Sequence, residues 1–159
     1  MIAPAAAVFL GAFLLFQVQL IVAKAILPWF GGVPAVWTTC MLFFQTLLLA
    51  GYAYAHASAS ALRPRAQGLV HLALLVLALA MLPVLPGATD RPDGSQPPIL
   101  AVIVLLACSA GLPYFVLAAS GPLVQHWFAA ANPGVSPYRL YALSNAGSML
   151  GLVSYPFAI

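Results

Sequence analysis

The stretch Leu72-Ala-Leu-Leu-Val-Leu-Ala-Leu-Ala80 holds nine apolar residues in a row, with no polar residue at every second place. A strand crossing a bilayer as part of a closed barrel alternates between lipid and lumen, so it reads as alternating apolar and polar residues. A helix satisfies its backbone internally and tolerates an unbroken apolar run, and helices and closed barrels are the two structures that span a bilayer. The run therefore predicts a membrane helix. The rest of the chain agrees: 64% of its 159 residues are hydrophobic and 4% are charged, whereas soluble domains carry about 25% charged residues. Mean hydropathy is +1.07.

Working outward, apolar runs of about 20 residues, the length that crosses a hydrocarbon core, predict five spans. The first runs from about Ala5 to Leu27, ended by Pro28 and Gly31-Gly32. The second runs from about Ala35 to Ala55, after Pro34. Ala57 to Gln67, with Ser58, Ser60, Arg63, Pro64 and Arg65, reads as a polar loop, and the third span follows from about Gly68 to Leu85. The stretch Gly87 to Pro98 carries Asp90, Arg91 and Asp93. The fourth span covers about Ile99 to Ala119, with a kink expected at Pro113 because proline lacks the N–H of a helical bond. Leu123 to Ala131 then reads either as a short interfacial helix or as a plain loop. The fifth span runs from about Pro137 to Ile159. No Lys or Arg precedes Lys24, so the first run reads as a retained helix and not as a cleaved signal. The whole of 1–159 reads as one all-α integral membrane domain.

Charge excludes some functions. Lys24, Arg63, Arg65, Arg91 and Arg139 are scattered between apolar runs and form no nucleic-acid-binding patch. Arg63, Arg65 and Arg139 fall in loops on one side and Arg91 on the other, and the bias of basic residues to the inner side places the N-terminus in the cytoplasm. Cys40 and Cys108 both fall inside spans and read as packing residues, with no disulfide or metal site. Asp90 and Asp93 share one Pro-rich loop, and no constellation for acid–base or nucleophilic catalysis accompanies them. The expectation is a chain that is not an enzyme and has no cofactor.

Several polar residues stand inside the apolar runs. Lys24 either snorkels to the interface or joins Gln17 and Gln45 in a polar intramembrane track. His56 and His71 flank the same loop, a spacing open to two readings: ordinary interfacial residues, or axial ligands of a haem or pigment. Trp29, Trp37, Trp127, Tyr52, Tyr54 and Tyr138 read as an aromatic belt. Gly147-Ser-Met-Leu-Gly151 has the small-xxx-small spacing that lets helix backbones approach closely. With Ser144 and Ser148 it forms one face of the last span, and Tyr141 and Asn145 lie beside it. That face is expected at an interface with another chain or a second copy.

Ile26-Leu-Pro-Trp-Phe30 and Val124-Gln-His-Trp-Phe128 are each followed by Gly and Pro and then by another span, an offset of three helices. Five spans would then be an incomplete three-plus-three repeat, the unit from which major-facilitator transporters are built. Chance likeness between apolar segments competes with this reading.

The motifs Val22-Ala-Lys-Ala-Ile-Leu-Pro-Trp-Phe-Gly-Gly-Val-Pro-Ala-Val-Trp-Thr-Thr-Cys-Met-Leu-Phe-Phe-Gln45 with Gly51-Tyr-Ala-Tyr-Ala-His56, Leu112-Pro-Tyr-Phe-Val-Leu-Ala-Ala-Ser-Gly-Pro-Leu-Val-Gln-His-Trp-Phe128, and Pro137-Tyr-Arg-Leu-Tyr-Ala-Leu-Ser-Asn-Ala-Gly-Ser-Met-Leu-Gly151 resemble the N-terminal membrane region of bacterial spermidine synthase-like membrane proteins. These join a major-facilitator-like part to a spermidine synthase-like part. The resemblance implies a multi-pass protein of the bacterial inner membrane. It implies no catalytic residue here, because the cofactor-binding domain of the fusions follows the membrane part and Tyr155-Pro-Phe-Ala-Ile159 ends this sequence. Two functions remain: a non-catalytic membrane subunit or domain that docks a partner, or a small transporter component for a small or cationic solute, with a haem- or pigment-binding subunit as a further alternative. The topology is checked by cysteine labelling at Ser60 and Ser95, which should react from opposite sides of the membrane; labelling from one side overturns it.

Overall fold

The structure, a computed structural model, describes residues 2–158. It is all-helical, with no strand among the described residues. Helix α1 spans Ile2–Ile26 and runs into a tight turn at Leu27–Phe30. Gly31 and Gly32 then adopt φ of 76° and 68°, the left-handed region where a side chain would be strained. Helix α2 spans Pro34–Ala61 and α3 spans Pro64–Ala80, each with proline in its first turn, where the missing N–H has no helical partner to lose. Helices α4 (Pro98–Leu106) and α5 (Leu112–Ala131) are joined end to end by a π turn at Ala107–Gly111, and α6 spans Tyr138–Ala158. Three rods, Ile2–Phe30, Pro34–Ala61 and Pro98–Ala131, are long and apolar enough to cross a membrane. Helix α3 is a shorter apolar rod of 17 residues.

Three boundaries differ from the sequence reading, the first being the third span, expected to reach Leu85, whose helix ends at Ala80. The segment expected as a loop from Ala57 to Gln67 is helical except for Leu62 and Arg63. Its serines do not break the helix: Ser60 Oγ bonds back to His56 O at 3.0 Å, and Gln67 Nε2 donates to Leu62 O at 2.8 Å, tying the two-residue turn. Leu123 to Ala131, read as a separate helix or a loop, continues α5. The irregularity expected at Pro113 is the π turn just before it, whose wider winding makes room where the proline ring would press on the preceding turn. Pro122 is absorbed inside α5.

The packing is crosswise. The long rod α4–α5 lies at the centre, touching α1, α2 and α3, while α6 packs on α1. Gly11 and Gln19 of α1 face Leu117 and Tyr114 of α5 respectively, so this pair is antiparallel. Gly147 meets Phe9 and Phe13, and Gly151 meets Phe13 and Phe16, so α6 runs parallel to α1. The core gathers Val22, Ile26, Phe44, Val102, Leu106 and Tyr114, with the Phe44 and Tyr114 rings 4.7 Å apart. The connection after α3 is held by its acids: Gly87 N donates to Asp90 Oδ2 at 2.8 Å, and Ser95 donates through its N and Oγ to Asp93. The Ser95 bonds hold the Asp93 carboxyl below its usual range.

Backbone proximity sets two helix crossings. A methyl group on Gly51 of α2 would lie 2.7 Å from Ala118 Cβ and 3.1 Å from Phe115 O. On Gly147 it would collide with Phe9 O, and on Gly151 it would lie 2.9 Å from Phe13 O. The glycine face expected to meet another chain is thus occupied by α1 of the same chain. Replacing Gly147 and Gly151 by Leu should separate α6 from α1 and destabilise the fold by roughly 1–3 kcal/mol per site, the usual cost of overpacking. Gly68→Ala, in α3 where nothing lies within 4 Å, should be neutral or stabilising by up to about 1 kcal/mol. Thermal unfolding in detergent, followed by circular dichroism, reads both.

Candidate functional site

With its glycine face on α1, α6 turns Tyr141, Ser144 and Asn145 toward a cavity of about 390 Å³. Val8, Gly11, Ala12 and Leu15 of α1, Leu117 to Gln125 of α5 and Tyr52 of α2 complete its walls. No charged residue lines it. Gln125 is 9% exposed, and neither its carboxamide nor that of Asn145 has a side-chain hydrogen-bond partner among the described residues. Tyr141 and Asn145 are exposed beside the opening, and Ser144 is half-buried. Ser148 is half-buried one turn further along α6. The cavity offers two amides, two phenols and a hydroxyl, a set that donates and accepts without carrying charge.

The expected track of Gln17, Lys24 and Gln45 is not assembled. Gln17 is buried and donates Nε2 to Gly151 O at 3.0 Å and to Ser154 Oγ at 2.9 Å. The Lys24 ammonium lies 5.9 Å from the Tyr155 ring centroid, within cation–π range. Both therefore face α6. Gln45 is exposed on α2, and α1 and α2 share little contact because the central rod stands between them. The buried partner that α1 does present toward the centre is Gln19, whose Nε2 donates to Met41 Sδ at 3.0 Å and whose Oε1 accepts from the Tyr114 hydroxyl at 3.3 Å.

A second polar layer lies on the other side of α5, where α2 and α3 meet it. His71 is 4% exposed, and its Nε2 is 3.0 Å from Ser120 Oγ. Trp127 Nε1 donates to Gln67 Oε1 at 2.8 Å. The His71 ring stacks on Tyr54 at 6.3 Å and meets Trp127 edge-on at 6.1 Å. His56 is exposed on α2 and shares no ring contact or hydrogen bond with His71. The two histidines therefore do not face each other as an axial pair, since one ring is committed to Ser120 and the other points out of the bundle. Among the described residues no three His, Cys, Asp or Glu side chains gather to hold a metal ion. Cys40 is buried in the core, and Cys108 is exposed on the π turn.

Gln67, Ser120 and Trp127 were not singled out as site residues in the sequence. A signal was present: Gln67 and His71 stand four apart on α3, and Ser120 and Trp127 seven apart on α5, so each pair shares a helix face. What could not be read was that these two faces meet. Comparison of the chain with protein-family models, with curated proteins and with solved structures gave no match.

Trp127→Phe keeps an aromatic ring and removes the only donor to Gln67 Oε1 seen here. Gln67 is 2% exposed, so the variant should lose about 1–3 kcal/mol, the cost of an unsatisfied buried acceptor. Gln67→Leu combined with Trp127→Phe should recover part of that loss. Denaturation midpoints of the two variants in the same micelles decide it; equal midpoints for the single and double variants would show that the bond contributes nothing.

Proposed function

We propose that this chain is a non-catalytic membrane domain that docks a partner chain within the bilayer, with the groove between α5 and α6 as its docking surface. The observation that carries this reading is the pair of unpaired carboxamides, Gln125 and Asn145, in a cavity open at the side of α6. An amide left against hydrocarbon is costly, because lipid offers it no hydrogen bond. A transmembrane helix from another chain, carrying a Ser, Thr, Asn or Gln at the depth of Asn145, satisfies these groups and covers Tyr141. Polar contacts of this kind between membrane helices contribute about 0.6 kcal/mol each, up to about 1.7, so affinity depends on several acting together. Helix α6 suits this role because α1 covers its glycine face while Leu152, Val153 and Phe157 stay exposed.

The orientation proposed for this domain is inner-membrane with a cytoplasmic N-terminus, resting on Arg63, Arg65 and Arg139. The resemblance to the membrane part of spermidine synthase-like fusions is consistent with a domain whose chemistry is carried by a partner. A second reading, a transporter component, is favoured by one observation: α2 packs on the central rod and α6 on α1, while α1 and α5 are antiparallel, as inverted repeats require. In that reading the solute is small and neutral, since the cavity has no charge to bind a cation.

Asn145→Leu with Gln125→Leu should abolish co-purification of a partner from native membranes while leaving the unfolding midpoint close to that of wild type, because neither carboxamide has a side-chain partner among the described residues to lose. Undiminished recovery of the same partner with the double variant would reject the docking reading.

A further inference from the structure

Ser120 Oγ donates its single proton to Val116 O at 2.8 Å. At its 3.0 Å contact with His71 Nε2 it must therefore accept, so Nε2 carries the proton. A neutral imidazole with a protonated Nε2 has an unprotonated Nδ1, a strong acceptor. That Nδ1 is buried and has no partner. The ring of Tyr54 stacks on the His71 imidazole across the α2–α3 contact, with ring centroids 6.3 Å apart. The Tyr54 hydroxyl and Ser58 Oγ, one helical turn apart on α2, are also buried; they approach each other, and neither reaches a partner at full hydrogen-bonding geometry. Ser58 and His71 are each 4% exposed.

Buried polar atoms left unpaired cost roughly 1–3 kcal/mol each. These three are complementary in kind, however: Nδ1 requires a donor, and the two hydroxyls require acceptors. A cation is disfavoured because the other groups packed on the layer, Phe115, Trp127, Gln67 and Ser120, are all uncharged. Three cavities of metabolite size in the bundle do not border Tyr54, Ser58 or His71, whereas a single water needs room for only about one water-sized sphere. Water is the small neutral molecule that donates and accepts at once, and buried waters sit where two to four polar groups converge.

We propose that the layer between α2, α3 and α5 is a buried hydration site, in which water donates to His71 Nδ1 and accepts from the hydroxyls of Tyr54 and Ser58. The site makes His71 a basic nitrogen reachable through water inside an otherwise apolar contact, near the turn that joins α2 to α3.

The chain has three histidines, and two of them, His56 and His126, are exposed. His56→Gln with His126→Gln leaves His71 as the sole imidazole. In that variant, 15N-histidine labelled, otherwise deuterated and reconstituted in phosphatidylcholine bilayers, solid-state NMR should show one protonated and one unprotonated ring nitrogen. Polarisation from water protons should reach the unprotonated one. Adding Tyr54→Phe and Ser58→Ala should remove that transfer and leave Nε2 protonated. A proton on Nδ1, a dry Nδ1, or water transfer unchanged by the loss of both hydroxyls would each overturn the proposal.

Discussion

Helices in a bilayer gain little from hiding apolar side chains, because lipid tails are as apolar as leucine; what holds them together is close packing and the few hydrogen bonds that closeness permits. In this protein that constraint is met at three glycines. Gly51 lets α2 rest on the backbone of α5 around Ala118, and Gly147 and Gly151 let α6 rest on the backbone of α1 between Phe9 and Phe16. Close approach at Gly151 also brings its carbonyl within reach of Gln17, so a buried amide is satisfied by the contact that the missing side chain allows. The rest follows from these crossings. With α6 committed to α1 and α2 to α5, the central pair is flanked on two sides, and the cavity beside α6 is bounded where α1 and α5 diverge.

The polar interior is organised by the same geometry. Each buried amide or ring is matched across a helix contact: Gln17 to α6, Gln19 to Tyr114 on α5, Gln67 to Trp127, His71 to Ser120. Such pairs specify which faces meet, since an apolar stripe on a membrane helix fits lipid as well as it fits a neighbour. Gln125 and Asn145 stand apart from these four matched pairs: both line the cavity beside α6, and neither carboxamide reaches a side chain of the described residues across it.

Much of the architecture was legible before any coordinates. Apolar run length marks the spans, and Pro28, Gly31-Gly32 and Pro34 mark the first turn, because left-handed backbone and a missing N–H have unambiguous local consequences. Local rules failed where helices continue through residues that usually stop them: Ser58 and Ser60 within α2, and Pro113 and Pro122 within one rod. There the Ser60 hydroxyl bonds back to its own helix and a π turn accommodates Pro113, options that a reading by residue type does not anticipate. For the site, the small-residue face of α6 was readable as a packing face, but its partner was not. Periodicity tells which residues share a face; which faces touch depends on how the chain returns, and a residue such as Gln45 can look like a neighbour of Gln17 while α5 lies between them.

The parallel pairing of α1 with α6 joins elements far apart in sequence, Gln17 reaching a carbonyl 134 residues further on. During synthesis α1 therefore enters the bilayer long before the helix that satisfies it exists. Through the insertion of α2 to α5, its phenylalanine face and the Gln17 amide stay open to lipid or to whatever assists insertion. A ribosome stalled before α6 therefore holds α1 still awaiting the neighbour that its glycine contacts and Gln17 require.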